Sequence, residues 1–169
     1  MALTLKKTWQ KELSLSALLV LLAMVAYGHL LEGGATPYSK HSDLVAQHLA
    51  MKNVGYASLQ LGEGLPHWKT DLLGGGPAFT HPQGLFTNPL QLLFLLFEPT
   101  AAAGPTLLLH FLAMALSLQV LGAVMGLGYR ARSFMAVAGL FSFKMIILGY
   151  SGWLPVLPGL VLAPLLFAA

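Results

Sequence analysis

The sequence contains no cysteine, and only 9% of its residues are Asp, Glu, Lys or Arg. The absence of cysteine excludes disulfide bonds, thiolate metal ligands and a cysteine nucleophile. The shortage of charge excludes a soluble globular protein, in which about 25% of residues are charged, because so few charges cannot cover a water-exposed surface. Hydrophobic residues make up 56% of the chain, which excludes intrinsic disorder. The composition therefore predicts an integral membrane protein.

Several familiar signatures are also missing. A formal net charge of +3 is too small to indicate nucleic acid binding. The sequence has no Walker A motif, no glycine-rich dinucleotide turn and no serine nucleophile elbow. The glycine cluster Gly74–Pro77 lacks the Lys-Ser/Thr that phosphate binding requires, so we interpret it as a flexible turn. No internal repeat is present, so a duplicated transporter is not supported.

Long apolar runs predict an all-α fold, a polytopic helical membrane protein with about four transmembrane helices in a single membrane domain, residues 1–169. About 20 apolar residues are needed to cross a ~30 Å hydrocarbon core. A signal peptide is the alternative for the first run, although that run is longer than a typical signal-peptide core. The predicted spans are residues 13–31, 105–128, 133–150 and 153–169.

A long polar loop, residues 32–87, separates the first two spans. Within it, residues 42–61 have apolar side chains at helical spacing and predict an amphipathic helix on the membrane surface, with Ser42 as a candidate N-cap. Residues 88–98 are strongly apolar but too few to cross, so they predict a re-entrant or interfacial helix.

Basic residues predict the orientation. They precede the first span and lie between the second and third spans, and the positive-inside rule places such residues in the cytoplasm. The N-terminus is therefore expected to be cytoplasmic and the long loop external, which requires that residues 88–98 do not cross. The residues concerned are Lys6, Lys7, Lys11, Arg130 and Arg132.

Asp43 is the first candidate for chemistry, because it lies about a dozen residues after the first span. A carboxylate at the membrane surface can act as a general base. The alternative is an ordinary acidic residue at a helix start, where the helix dipole favours it. Glu63 and Asp71 are weaker candidates, since turn glycines or polar residues surround them.

Histidines and one lysine offer further possibilities. Two histidines fall in spans, where axial ligation of a haem or chlorophyll is conceivable but helix packing is commoner. The histidines of the loop lack HExxH spacing, so the metal signal is weak, and no cofactor is identified. Lys144 lies in the third span, where a charge at membrane depth indicates a function unless it snorkels. The six histidines are His29, His41, His48, His67, His81 and His110.

With these residues in view, the chain resembles the N-terminal portion of bacterial YfhO-type membrane proteins, of the GT-C class of polytopic glycosyltransferases. The first shared feature is an external Asp after the first span, Ser42-Asp43-Leu44. The second is a Gly-, Pro- and Trp-containing loop from Gly62 to Pro89. The third is a His-bearing span around His110 that leads to a basic cytoplasmic turn. The resemblance covers nearly the whole chain, but the family has more spans and a further soluble domain, so the chain is expected to be incomplete relative to it.

The resemblance implies a transferase that takes a sugar from a polyprenyl-phosphate donor at the outer face of the bacterial cytoplasmic (inner) membrane. The family's first-loop Asp, the expected general base, corresponds to Asp43. Lys40, Lys52 and Lys69 are then the external cations available to the lipid phosphate. The substrate-binding residues expected on this interpretation are Lys40, Trp68, Lys69, Asp71, Gly75, Pro77 and Gln83.

A different class of function is a non-catalytic integral-membrane subunit that packs against a larger membrane complex. This alternative predicts that partner proteins cover the apolar faces of the last two spans. Membrane lipids are expected partners in either case, and nucleic acid is not.

Overall fold

The computed structural model describes residues 2–32, 43–69, 75–78 and 88–169, and these are predominantly helical. Helix α1 (Ala2–Tyr27) continues into a 3₁₀ turn (Gly28–Leu31), and a π-helical turn (Leu44–His48) leads into α2 (Leu49–Gln60). Two short strands follow, β1 (Trp68–Lys69) and β2 (Gly76–Pro77). The remaining elements are a 3₁₀ turn (Pro89–Gln91), α3 (Leu93–Leu96), α4 (Pro99–Val124), α5 (Tyr129–Leu140), α6 (Phe143–Tyr150) and α7 (Leu157–Ala168).

Three helical segments among the described residues are long and apolar enough to cross a membrane, which confirms an α-helical membrane protein. They are Gln10–Leu31, Pro99–Val124 and Tyr129–Tyr150, the shortest having 22 residues. The predicted fourth span contains a helix of only 12 residues, Leu157–Ala168, because turns occupy residues 151–156. Twelve residues extend about 18 Å, less than the hydrocarbon core.

Helix α4 is the centre of the bundle, and α1, α5 and α7 all pack against it. On α1, Leu15, Leu19 and Ala23 recur every four residues and are buried, as expected for one face of a helix. Between membrane helices close packing replaces the hydrophobic effect as the driving force, so small residues matter. A side chain at Gly104 would collide with the carbonyl oxygen of Leu30, so the two backbones meet there directly.

The third span is interrupted between α5 and α6, whereas the sequence predicted one continuous helix over residues 133–150. Such an interruption releases backbone carbonyls that need hydrogen-bond donors. The Tyr27 hydroxyl donates to the carbonyl of Leu140 at 3.2 Å and satisfies one of them. Lys144 lies in the first turn of α6, and its side chain is exposed on the bundle surface.

The ends of the spans meet in two places. At the end that we call the basic end, the Glu12 carboxylate accepts hydrogen bonds from Arg132 Nη2 and Gln119 Nε2, both at 2.6 Å. At the opposite end, the loop end, the His29 Nε2 and the Tyr150 hydroxyl are hydrogen-bonded at 3.0 Å. The N-terminal half of α1 and the start of α5 therefore lie together, as the charge-based topology requires.

Candidate functional site at the loop end

Asp43 begins the helical segment that follows the first span. Directly after it comes the π-helical turn Leu44–His48, closed by the N–H of Leu49, which donates to the carbonyl of Leu44. Turns of this kind are rare and are found frequently at functional sites. Asp43 is exposed, and its side chain makes no capping hydrogen bond to the helix that it begins. Its carboxylate is therefore open to a ligand.

Asp43 is held in place through its neighbour Leu44, which is fully buried against the turn between α6 and α7. A Cβ atom at Gly152 would lie 2.6 Å from the Leu44 Cβ and 2.8 Å from the Leu44 backbone nitrogen. Gly152 also has φ +89°, a conformation that other residues rarely adopt. Both observations require glycine, and together they place Asp43 beside this turn at the loop end.

A buried group of polar side chains lies between α2, α3 and α4; we call it the basic cluster and define it as His48, Lys52, Gln91, Thr106 and His110. Lys52 is only 1% exposed. Its amine donates to Gln91 Oε1 and lies 5.2 Å from the centre of the Phe94 ring. Gln91 Nε2 in turn donates to the carbonyl of Leu154 at 3.2 Å. The cluster thus connects α2 to the same turn that contacts Leu44.

Burial controls the protonation of this cluster. Desolvation lowers the pKa of Lys52 to about 7, because the charged amine is removed from water. Desolvation also lowers the pKa of His48 below its ordinary value of 6.5. The negative charge of Asp43 opposes that change, and the positive charge of Lys52 adds to it. Burial therefore favours the uncharged forms of both groups, Lys52 and His48.

Three atoms of the basic cluster are buried without a hydrogen-bond partner: His48 Nδ1, Thr106 Oγ1 and His110 Nε2. The ring of His110 is oriented by a 2.7 Å hydrogen bond between Nδ1 and the carbonyl of Thr106. Since a carbonyl only accepts, Nδ1 carries the proton, and Nε2 of the neutral ring is an acceptor. Unpaired buried polar groups are uncommon in folded proteins and mark functional or water-binding sites.

The glycine- and proline-rich part of the loop forms an antiparallel hairpin. Trp68 pairs with Pro77 and Lys69 with Gly76, and the N–H of Ala78 donates to the carbonyl of His67. Gly75 has φ +101°, which explains the need for glycine beside the hairpin. Trp68 is 61% exposed, so its ring is accessible to a ligand. The hairpin therefore brings together four of the predicted binding residues.

The remaining predicted residues divide into two groups. Lys40, Asp71 and Gln83 lie outside the residues that the structure describes. Lys52, expected as an external cation for the lipid phosphate, is instead buried in the basic cluster. The expectation was incorrect because Lys52 follows His48 by four residues, which puts both side chains on the buried face of the helix.

Other residues of the site were not selected from the sequence. Gln91 acts through hydrogen bonds and Gly152 through a packing contact, both of which only the tertiary structure creates. The Tyr150–His29 pair joins two spans distant in the chain. No group of three or more potential metal ligands occurs in the described parts of the chain. An apolar groove of about 750 Å³ also runs between α4 and α7, with Leu116, Val120 and Leu162 among its lining residues.

Three apolar spans and a polar site at the loop end define an α-helical integral membrane protein. No family model matches the chain, and neither a curated protein nor a solved structure is significantly similar to it. What the protein does must therefore be inferred from the chemistry of its own residues.

Proposed function

We propose that this chain is the N-terminal part of a YfhO-type membrane glycosyltransferase of the GT-C class, using a polyprenyl-phosphate-linked sugar. The loop end would face the outside of the bacterial cytoplasmic membrane, and the basic end would face the cytoplasm. The observation that carries the proposal is the exposed carboxylate of Asp43, held beside the ends of the spans by the contact between Leu44 and Gly152. The resemblance of the loop to that family supports the same role.

The reaction requires a base where Asp43 lies. The Asp43 carboxylate accepts the proton of the acceptor hydroxyl while the hydroxyl oxygen forms a bond to the anomeric carbon of the donor sugar. The bond between that carbon and the phosphate oxygen breaks, and polyprenyl phosphate leaves with the electron pair. Because Asp43 is exposed, the proton then passes to water.

Two features suit the donor. The exposed ring of Trp68 offers a flat apolar face for a sugar ring. The groove between α4 and α7 presents almost entirely apolar side chains, to which Asn88 and Ser117 are exceptions, and suits a prenyl chain. Lys40 and Lys69 remain the cations proposed for the phosphate.

The test is the Asp43→Asn variant, which keeps the size of the side chain and removes its basicity. We expect a loss of about 10²–10⁴-fold in the rate of transfer, as for other general bases. The measurement is transfer of label from a radioactive polyprenyl-phosphate hexose by protein extracted from membranes and reconstituted in liposomes. Glu63→Gln is the matched control, since Glu63 is an exposed carboxylate in the same loop. Full activity of Asp43→Asn would show the assignment to be wrong.

One observation favours the second candidate, a non-catalytic subunit of a larger membrane complex. Lys144, with Phe134 and Phe143 nearby in the chain, is exposed on the third span. A lysine facing lipid costs about 2.5–3.5 kcal/mol near the middle of a membrane helix, and a carboxylate from a neighbouring chain would offset this. The intact mass of the protein from native membranes discriminates between the candidates. A mass well above 18.0 kDa supports the transferase, and a mass near 18.0 kDa with a co-purifying partner supports the subunit.

A further inference from the structure

We infer that Lys52 is a positioning residue for Asp43: through Gln91, its amine holds the helix that begins at Asp43 against the turn between α6 and α7. The inference rests on the proposed function for what Asp43 does. It rests on the contacts of Leu44, Lys52 and Gln91 for where Asp43 is held, so the two can fail separately.

The first step is that the segment beginning at Asp43 has two attachments to one turn. Leu44 contacts Gly152 directly. Lys52 donates to Gln91, and Gln91 donates to the carbonyl of Leu154, two residues after Gly152. These contacts join the segment, the 3₁₀ turn that contains Gln91 and the turn between α6 and α7 into a closed ring. Loosening the attachment at Lys52 therefore weakens one of the two contacts that hold Leu44, and with it Asp43, at this turn.

The second step is that the attachment depends on the charge of the amine. Among the described residues, the titratable groups that act electrostatically on this part of the cluster are Asp43 and His48 at the start of the segment and His110 on α4. The groups that contact the amine from the neighbouring turn and α3, Gln91 and Phe94, do not titrate. Two of the three titratable neighbours are basic, so protonation of Lys52 places a positive charge beside groups that can themselves become positive.

The sign of the pH dependence follows from the lowered pKa of Lys52. When the segment is released from the turn, the Lys52 amine has its ordinary pKa of 10.5 and binds a proton below that pH. When the amine is buried, its pKa is about 7, so it binds a proton only below that pH. Between these limits the released form holds more protons, so the attachment strengthens as the pH rises and weakens as it falls toward 7. Below about 7 both forms are protonated, and Lys52 contributes no further change.

The experiment measures the position of the segment directly. The sequence has no cysteine, so Val45→Cys and Trp153→Cys introduce two unique labelling sites, one on each side of the Leu44–Gly152 contact. Both native residues are exposed, and Asp43 is left intact. Nitroxides at these positions, in protein reconstituted in liposomes, give the distance distribution between pH 6 and pH 9. The separated fraction is expected to rise as the pH falls from 9 to 7, by up to about tenfold per pH unit.

Substitutions at Lys52 distinguish positioning from mere packing. Lys52→Met fills similar space but neither titrates nor donates to Gln91, so its separated fraction is expected to exceed that of the native chain at pH 9 and to be independent of pH between 7 and 9. Lys52→Arg stays charged throughout and is expected to favour separation at every pH. Lys11→Met, which removes an exposed lysine at the basic end, is the control and is expected to behave as the native chain does.

Two results would overturn the inference: a distance distribution of the native chain that does not change with pH, or one that changes equally in Lys52→Met. The transfer assay separates this failure from failure of the proposed function. If the positioning and the proposed function are both correct, kcat decreases at low pH as the separated fraction increases, and KM does not change. Lys52→Met then removes this pH dependence of kcat. If the distances respond to Lys52 as expected but no transfer occurs, the positioning stands and the glycosyltransferase proposal is wrong.

Discussion

The two ends of the bundle handle buried polar groups in opposite ways. At the basic end, opposite charges meet: Arg132 and Glu12 are 2.6 Å apart, and their side chains are 17% and 26% exposed. At the loop end, the basic side chains of His48, Lys52 and His110 share an interior with a neutral amide. The first arrangement pairs opposite charges. The second avoids charge by lowering the pKa of its groups, as seen for Lys52 and His48.

This difference suggests that the two ends of the bundle have different roles. The ion pair between Arg132 and Glu12 links α5 to α1. A cluster that is neutral only above a certain pH is stable under some conditions and not others, which suits a region that adjusts a ligand site. Substitutions at each end in turn test this contrast.

The largest effect is expected from Arg132→Met at the basic end. The substitution leaves the Glu12 carboxylate in a partly buried position without its cation, at a cost of about 3 kcal/mol or somewhat more. The measurement is the free energy of unfolding in mixed micelles. The double variant Glu12→Gln/Arg132→Met is expected to regain part of the loss, since no unpaired charge remains. Equal stability of the single variant and the native chain would mean that the pair contributes nothing.

A smaller effect, measured as the difference in stability from a matched control, is expected from Gly152→Ala at the loop end. A methyl group there meets the backbone of Leu44 in addition to the strain of a positive φ. Gly126→Ala is the matched control, because Gly126 has φ +73° but nothing within 4 Å of the added atom. We expect a loss of about 1–2 kcal/mol for the control from strain alone. Gly152→Ala should lose about 1–3 kcal/mol more from overpacking. If the two variants unfold with the same free energy, the close contact with Leu44 is not as described.

The smallest effect is expected from the titration of His48. Its pKa is lowered by burial, so the unfolded chain binds a proton at a higher pH than the folded chain does. Stability should therefore decrease as the pH falls below about 6.5, in a range where Lys52 is already protonated in both states. His48→Leu removes this contribution, and thermal unfolding between pH 7 and pH 5 should depend less on pH in the variant. An unchanged profile in His48→Leu would assign the pH dependence to another group.

Much of the fold follows from the sequence alone. Length and hydropathy suffice to find three helices that could cross a membrane, because the hydrocarbon core requires long apolar runs. The helix ends were less predictable. Helix α4 begins at Pro99 rather than at residue 105, since Glu98 caps it through a hydrogen bond from the N–H of Ala101. The interruption at Leu140 was not predicted either, because the hydroxyl that satisfies the freed carbonyl comes from Tyr27 on another helix.

The candidate site was less accessible from the sequence. Asp43 was selected because a carboxylate that follows a membrane span can act as a general base at the membrane surface. Only its neighbours in the sequence are needed to suggest this. Lys52 was misplaced because lysine in an amphipathic helix usually lies on the polar face. Its helical spacing from Leu44, His48 and Gly55 was the available signal of burial. Gln91 and Gly152 gave no such signal, since their roles depend on contacts across more than 35 positions of the chain.

The contact between Leu44 and Gly152 also sets the order in which the protein can be built. More than 100 residues separate these partners, so a chain emerging from the ribosome presents Asp43 long before the turn that holds it exists. Contacts between distant parts of a chain form late, after the intervening loop has been closed. During synthesis the Asp43 carboxylate is therefore present before the turn that contains Gly152. The position of Asp43 is completed only after α6 and the turn that follows it have been synthesised.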